Sequence, residues 1–210
     1  MAISTYAELK TAISNWTDRT DLNDTRLSEF IALAEARIAR RLRVRGVETR
    51  DTSITLVAGT AYYTLPSDFV EARNIQVNSD PVRVLRYLTP QQMDKMYPYV
   101  TNGTPAHYTI IGTEIQIKPT PNSGDTLEIA YFKKLSALSN SNTTNWLTTN
   151  APDLLLYASL IEAELYLVNE EKASSWAKVF DVAMQEWNSQ EDKGRHSGSS
   201  LASQTDTGTP

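Results

Sequence analysis

The chain has no cysteine, which excludes disulfides, thiolate metal sites and thiol nucleophiles and fits residence in a reducing cytoplasm. Histidine occurs only at His107 and His196, too far apart in sequence to point to a metal cluster. No phosphate-binding glycine loop, dinucleotide fingerprint or nucleophile elbow is present. Cations are outnumbered, 20 Lys and Arg against 25 Asp and Glu, a net charge of −5; a protein that coats nucleic acid needs the opposite balance. The longest apolar stretch, Leu154–Val168, is too short for a bilayer and carries Glu162 and Glu164. Met1–Lys10 lacks the basic start and apolar run of a signal peptide. A soluble chain with no membrane contact, no cofactor, no metal and no catalytic residue is the expectation. Asp51, Asp68, Glu71 and Asp94 keep a carboxylate pair open as a hydrolytic alternative, although capping or solvation explains each more simply.

What is present is ample material for a core, with 40% hydrophobic residues. The fold class expected is α+β, a helical body with an inserted antiparallel β domain. Residues 1–46 and 136–193 supply the body, 47–135 the insertion, and 194–210 a Ser-, Gly- and Thr-rich tail with too little apolar content to order alone. In the body, Thr5 and Glu8 form a capping box before Tyr6, Leu9, Ile13 and Trp16. A second helix carries Leu27, Phe30, Ile31, Ala34, Ile38 and Leu42 on one face and is expected to end at Gly46. The insertion reads as short strands, with Ser53–Val57 and Ala61–Leu65 expected to pair as a hairpin across Ala58-Gly59. Ala72–Val77, Val82–Tyr87, Tyr108–Ile111, Glu114–Lys118 and Thr126–Lys134 follow, with a short helix at Pro90–Met96. Ser136–Ala151 reads as a long loop anchored at Trp146-Leu147. Then come a helix apolar nearly all round, Pro152–Val168, and an amphipathic one, Ala173–Asn188, with Trp176, Phe180, Met184 and Trp187 in one stripe.

Charge is unevenly placed. Thr25–Arg50 holds seven arginines against three glutamates, and Pro152–Asp192 holds nine acids against two lysines. Arg is favoured over Lys at interfaces because its planar fork suits carboxylates. The candidate interface residues are therefore Arg37, Arg40, Arg41 and Arg43 on one side and Glu162 and Glu164 on the other. One basic and one acidic pole suit head-to-tail contact around a ring.

Several runs, in order, resemble one family. They are Tyr6-Ala-Glu-Leu, Phe30-Ile-Ala-Leu-Ala-Glu-Ala-Arg-Ile, Tyr63-Thr-Leu-Pro-Ser-Asp-Phe, Gly103-Thr-Pro-Ala-His-Tyr, Ile115-Gln-Ile-Lys-Pro-Thr-Pro and Thr144–Ala158. Together they are similar to tailed-phage head-to-tail adaptors, also called connectors or tail accessory factors. The resemblance implies a virion protein of the neck, assembled in the host cytoplasm. It further implies a homo-oligomeric ring, commonly a dodecamer, between the portal protein and further tail or nozzle proteins, through which DNA passes without specific binding. Neighbouring subunits would then cover the apolar helix. Two alternatives remain from the residues: a carbohydrate- or protein-binding module using Tyr62, Tyr63, Tyr97, Tyr99 and Tyr108, and a cell-wall hydrolase.

Overall fold

A computed structural model describes residues 3–122 and 124–196. The protein is α+β and separates into two compact units. A helical unit comprises the chain up to Gly46 and from Leu135 onward; a β-rich unit is the intervening Val47–Lys134.

Helix α1 (Tyr6–Thr17) starts with the capping box: the Thr5 hydroxyl accepts the Glu8 N–H and the Glu8 carboxylate accepts the Thr5 N–H. Tyr6, Leu9, Ala12 and Ile13 are buried at helical spacing. Asp18, with φ of 53°, ends the helix in the left-handed conformation. Helix α2 (Asp24–Ala39) is capped by the Asn23 carboxamide and buries Leu27, Phe30, Ile31, Ala34 and Ile38. The expected end at Gly46 is corrected. The Arg41 and Leu42 N–H groups both turn back to the Ile38 carbonyl, and the Arg43 guanidinium donates to the Ala39 and Leu42 carbonyls. A side-chain cation thus serves the negative end of the helix and the chain leaves it at Ala39. Gly46 does something else. A Cβ there would lie 2.1 Å from Nε1 of Trp146, so only glycine allows this approach.

The β unit holds β1 (Glu48–Thr55), β2 (Tyr62–Thr64), β3 (Phe69–Asn78), β4 (Arg83–Val84), β5 (Arg86–Tyr87), helix α3 (Pro90–Met96), β6 (His107–Ile111), β7 (Glu114–Lys118) and β8 (Thr126–Lys133). They make two four-stranded sheets, ordered β1-β8-β3-β4 and β2-β7-β6-β5. Leu56, Leu65, Ile75, Leu85, Ile115, Ile117, Leu127 and Ile129, drawn from both sheets and the links between them, form one buried core. The expected hairpin across Ala58-Gly59 does not form. β1 pairs with β8 and β2 with β7, so this turn carries the chain from one sheet to the other. Leu56 and Leu65 on either side of the turn both enter the shared core, and that burial outweighs local pairing. Tyr63 fixes the crossing: its hydroxyl accepts the Val57 N–H and donates to the Thr60 carbonyl. Val82–Tyr87 splits for the same reason, with buried Leu85 between β4 and β5. The named strand pairs are antiparallel as expected except β5 and β6, which run parallel. Between β6 and β7, Gly112 with φ of 61° makes the tight turn.

Within Ser136–Ala151, expected as loop, lies helix α4 (Trp146–Asn150), capped by the Asn145 carboxamide. Helix α5 (Pro152–Tyr166) buries Leu154, Leu155, Leu156, Ala158, Leu160, Ile161 and Ala163. Its packing partners are α1, α2 and helix α6 (Glu170–His196) of the same unit. The unit itself therefore covers the apolar helix, and neighbouring subunits are not needed for that task. Phe180 and Met184 of the α6 stripe are buried, while Trp187 meets Trp146 edge-on at 5.6 Å. The α6 backbone is helical through His196, beyond the expected end at Asn188. The rest of the expected tail lies outside the described residues.

Candidate functional site

The helical unit brings the arginines of α2 and the acids of α5 and α6 together. Arg37 donates through Nε and Nη2 to one oxygen of Glu162, at 3.0 and 2.5 Å. Both side chains are largely removed from water, at 32% and 15% exposure, so this pair is stronger than an ordinary surface one. Arg41 pairs with Asp181 at 2.6 Å and lies over the Phe180 ring. Arg43 is occupied by helix-end carbonyls. Part of the charge asymmetry read along the sequence is thus neutralised inside one chain, through two ion pairs. Arg40 differs: it is the C-cap of α2, exposed, and makes no ion pair or side-chain hydrogen bond among the described residues.

A second acid of α5 behaves unlike Glu162. Glu164 is 2% exposed, and its carboxyl group meets no cation or hydrogen-bond donor among the described residues. It lines a pocket of about 230 Å³ with Trp16, Lys172, Ser175, Trp176 and Val179. Lys172, Ser175, Trp176 and Val179 recur at helical spacing on one face of α6. The indoles of Trp16 and Trp176 lie 5.4 Å apart, and Tyr157 stacks on Trp176 at 5.9 Å. Tyr157 and Val179 continue into a shallower apolar groove of about 400 Å³ with Val182 and Ala183. Leu165, Val168, Val179 and Val182 are exposed.

Sequence reasoning missed Glu35. On the half-buried side of α2, its carboxylate accepts the Leu138 N–H and the Asn145 Nδ2–H, tying the 136–145 segment to the helix. Burial pushes its carboxyl group above the usual range, and the two hydrogen bonds oppose that. A single Glu on an amphipathic helix carries no sequence signal for such a contact 103 residues away.

The β unit answers the alternatives. Tyr63 and Tyr108 pack on the inner core, whereas Tyr62 lies on the other face of its strand, where its hydroxyl accepts from Gln116. Tyr97 bonds His107 Nδ1 at 2.8 Å, and Tyr99 is 82% exposed in the following loop. The five tyrosines do not share one face. Asp51 and Asp68 do line one polar cavity of about 670 Å³. There Asp51 accepts from the Ser53 N–H and hydroxyl, and Asp68 accepts from Tyr131. Burial first, and Asp68 second, push the Tyr131 hydroxyl above its ordinary range. Glu71 and Asp94 lie elsewhere, on β3 and α3. Among the described residues no three His, Asp or Glu side chains come together as a metal site, and no helix is long and apolar enough to cross a membrane. The backbone of His196 closes α6.

A search among curated proteins finds no match to the chain. Residues 4–204 match the family described as SU10 adaptor protein, a phage head–tail adaptor family, which covers both the helical and the β-rich unit. On that near-complete match, the chain belongs to the SU10 adaptor protein family.

Proposed function

We propose that the protein is a structural, non-enzymatic component of the virion neck. Copies form a homo-oligomeric ring, twelve-fold in the simplest case, docked on the portal protein above and on tail or nozzle proteins below, and assembled in the host cytoplasm. The observation that carries this reading is the family match over residues 4–204. The helical unit supports it with surface of the right kind. Leu165, Val168, Val179 and Val182 are exposed apolar area, and Arg40 is an exposed guanidinium without an ion pair among the described residues, both kinds of group typical of contact surfaces. Net negative charge suits a conduit: DNA phosphate meets no dense cation lining and passes without being held.

A non-catalytic role fits the polar cavity that gathers Asp51 and Asp68, because each is engaged by neighbours there. The Arg-rich end of α2 is proposed as subunit or portal contact, with Arg40 its free member. Arg37, Arg41 and Glu162 then hold the body in shape behind it. Co-expression with the cognate portal protein tests the reading. A stable complex with many copies of this chain per portal is the expected result; a chain that never co-purifies with portal contradicts it.

A further inference from the structure

An acid at 2% exposure with no partner among the described residues is a cost to the isolated chain, because burial removes most of its hydration and no donor replaces it. Thr109 Oγ1 is the one described side-chain polar atom that is both sealed and unbonded, so the Glu164 carboxyl group keeps an opening to solvent. The pocket with Trp16 and Trp176 is that opening. Its chemistry is specific: one carboxyl group at an indole-walled site of side-chain size. A guanidinium fits best, since it is planar, weakly hydrated, stacks on indole and forks onto a carboxylate. Lys172 lies on the same wall yet makes no ion pair with Glu164, so the site is not closed from within.

The helical unit also presents the complementary group. Each of its described arginines has a partner in the chain except Arg40, which is exposed at the end of α2. Arg40 cannot be serving its own pocket, because no bond joins the two. Its neighbour Arg41 meets α6 at Asp181, which helical spacing puts on the face opposite the one that carries Lys172, Ser175, Trp176 and Val179. Among the described residues, each copy thus offers an arginine without a partner at one place and a carboxyl group without one at another.

We propose that the Glu164 pocket receives the Arg40 guanidinium of a neighbouring copy, against the indole wall of Trp16 and Trp176, as the head-to-tail contact of the assembly. A contact between two different surfaces repeats from copy to copy and closes into a ring, as a self-complementary one cannot. This inference rests on the multi-copy assembly proposed above and names the site through which it is made.

The absence of cysteine makes the test clean. Ala39→Cys and Ser175→Cys are placed in separate full-length proteins that both keep Arg40 and Glu164; both positions are exposed. The two are mixed and oxidised, free at high concentration and bound to portal, and links are mapped by peptide mass spectrometry. A 39-to-175 link between copies is expected, reduced roughly tenfold by Arg40→Glu or by Glu164→Gln, each removing a charge-assisted contact. Lys172→Ala, which removes a competing cation, should raise the yield. Assembled material without the 39-to-175 link, or with a link that ignores both substitutions, overturns the seating of Arg40 and leaves the adaptor reading intact. A chain that stays monomeric both alone and with portal overturns the two together.

Discussion

Replacing Gly46 by alanine isolates one steric contact from every other cause of instability. The new Cβ would sit 2.1, 2.4 and 2.8 Å from Nε1, Cε2 and Cζ2 of Trp146, all closer than non-bonded atoms tolerate. The Gly46 backbone is not left-handed, so alanine adds no dihedral strain and the whole effect is overpacking. Trp146 cannot swing away freely, because its ring meets Trp187 edge-on at 5.6 Å and its helix is pinned by the Asn145 cap. Overpacking of this kind costs about 1–3 kcal/mol. Gly59→Ala is the control with the opposite cause. No atom lies within 4 Å, but φ of +80° strains any side chain, so roughly 1–2 kcal/mol is expected there from backbone conformation alone. The assay is urea unfolding followed by tryptophan fluorescence. All four tryptophans, at 16, 146, 176 and 187, fall in the helical unit, so the signal reports that unit alone. Gly46→Ala should lower its midpoint and Gly59→Ala should not. The double variant Gly46→Ala/Trp146→Phe should recover about 1 kcal/mol or more relative to additivity, since the smaller ring vacates the site. Strict additivity, or an unshifted midpoint for Gly46→Ala, would refute the claim that this glycine exists for Trp146.

The Glu35 carboxyl group is raised above its ordinary value of 4.5 by burial. The folded state then binds its proton more tightly than the unfolded chain, and stability from this group is full below about pH 4 and declines as pH rises through the raised value. Thermal melts of the wild type should show that decline relative to Glu35→Gln, and parallel pH profiles would rule it out. Glu35→Ala at neutral pH should cost about 1–3 kcal/mol, because the Leu138 and Asn145 donors lose their acceptor. Thr109 Oγ1 is sealed without a partner among the described residues, so Thr109→Val should be neutral or stabilise the β unit by up to about 1 kcal/mol; a clear loss, followed by circular dichroism, would reveal a bond that the hydroxyl makes.

Local rules were readable where one residue type does one job. Thr5 with Glu8, and Pro90 in a first turn, mark helix starts through local chemistry, and both helices form. The apolar faces of α2 and α5 follow from periodicity alone. What failed depended on distant partners. The Ala58-Gly59 turn has every mark of a hairpin, yet strand pairing was decided by β7 and β8, more than 50 residues later. Gly46 looked like a helix end because its true partner, Trp146, is 100 positions away. The charge blocks were visible, but which arginine is spent internally was not. That depends on where α5 and α6 place Glu162 and Asp181, which pairs Arg37 and Arg41 and leaves Arg40 without an ion pair among the described residues. Glu164 stood out as an acid in an apolar helix; that tryptophans from two other helices would wall it was beyond one-dimensional reach.

The most direct test of the adaptor reading is electron microscopy, with symmetry left free, of this chain bound to its portal. A closed ring of equivalent copies on the tail-facing side of the portal, their helical units adjoining and a channel open at the centre, is the expected image. A single copy per portal, scattered copies without contact, or density only at a distal fibre or the capsid surface would contradict it.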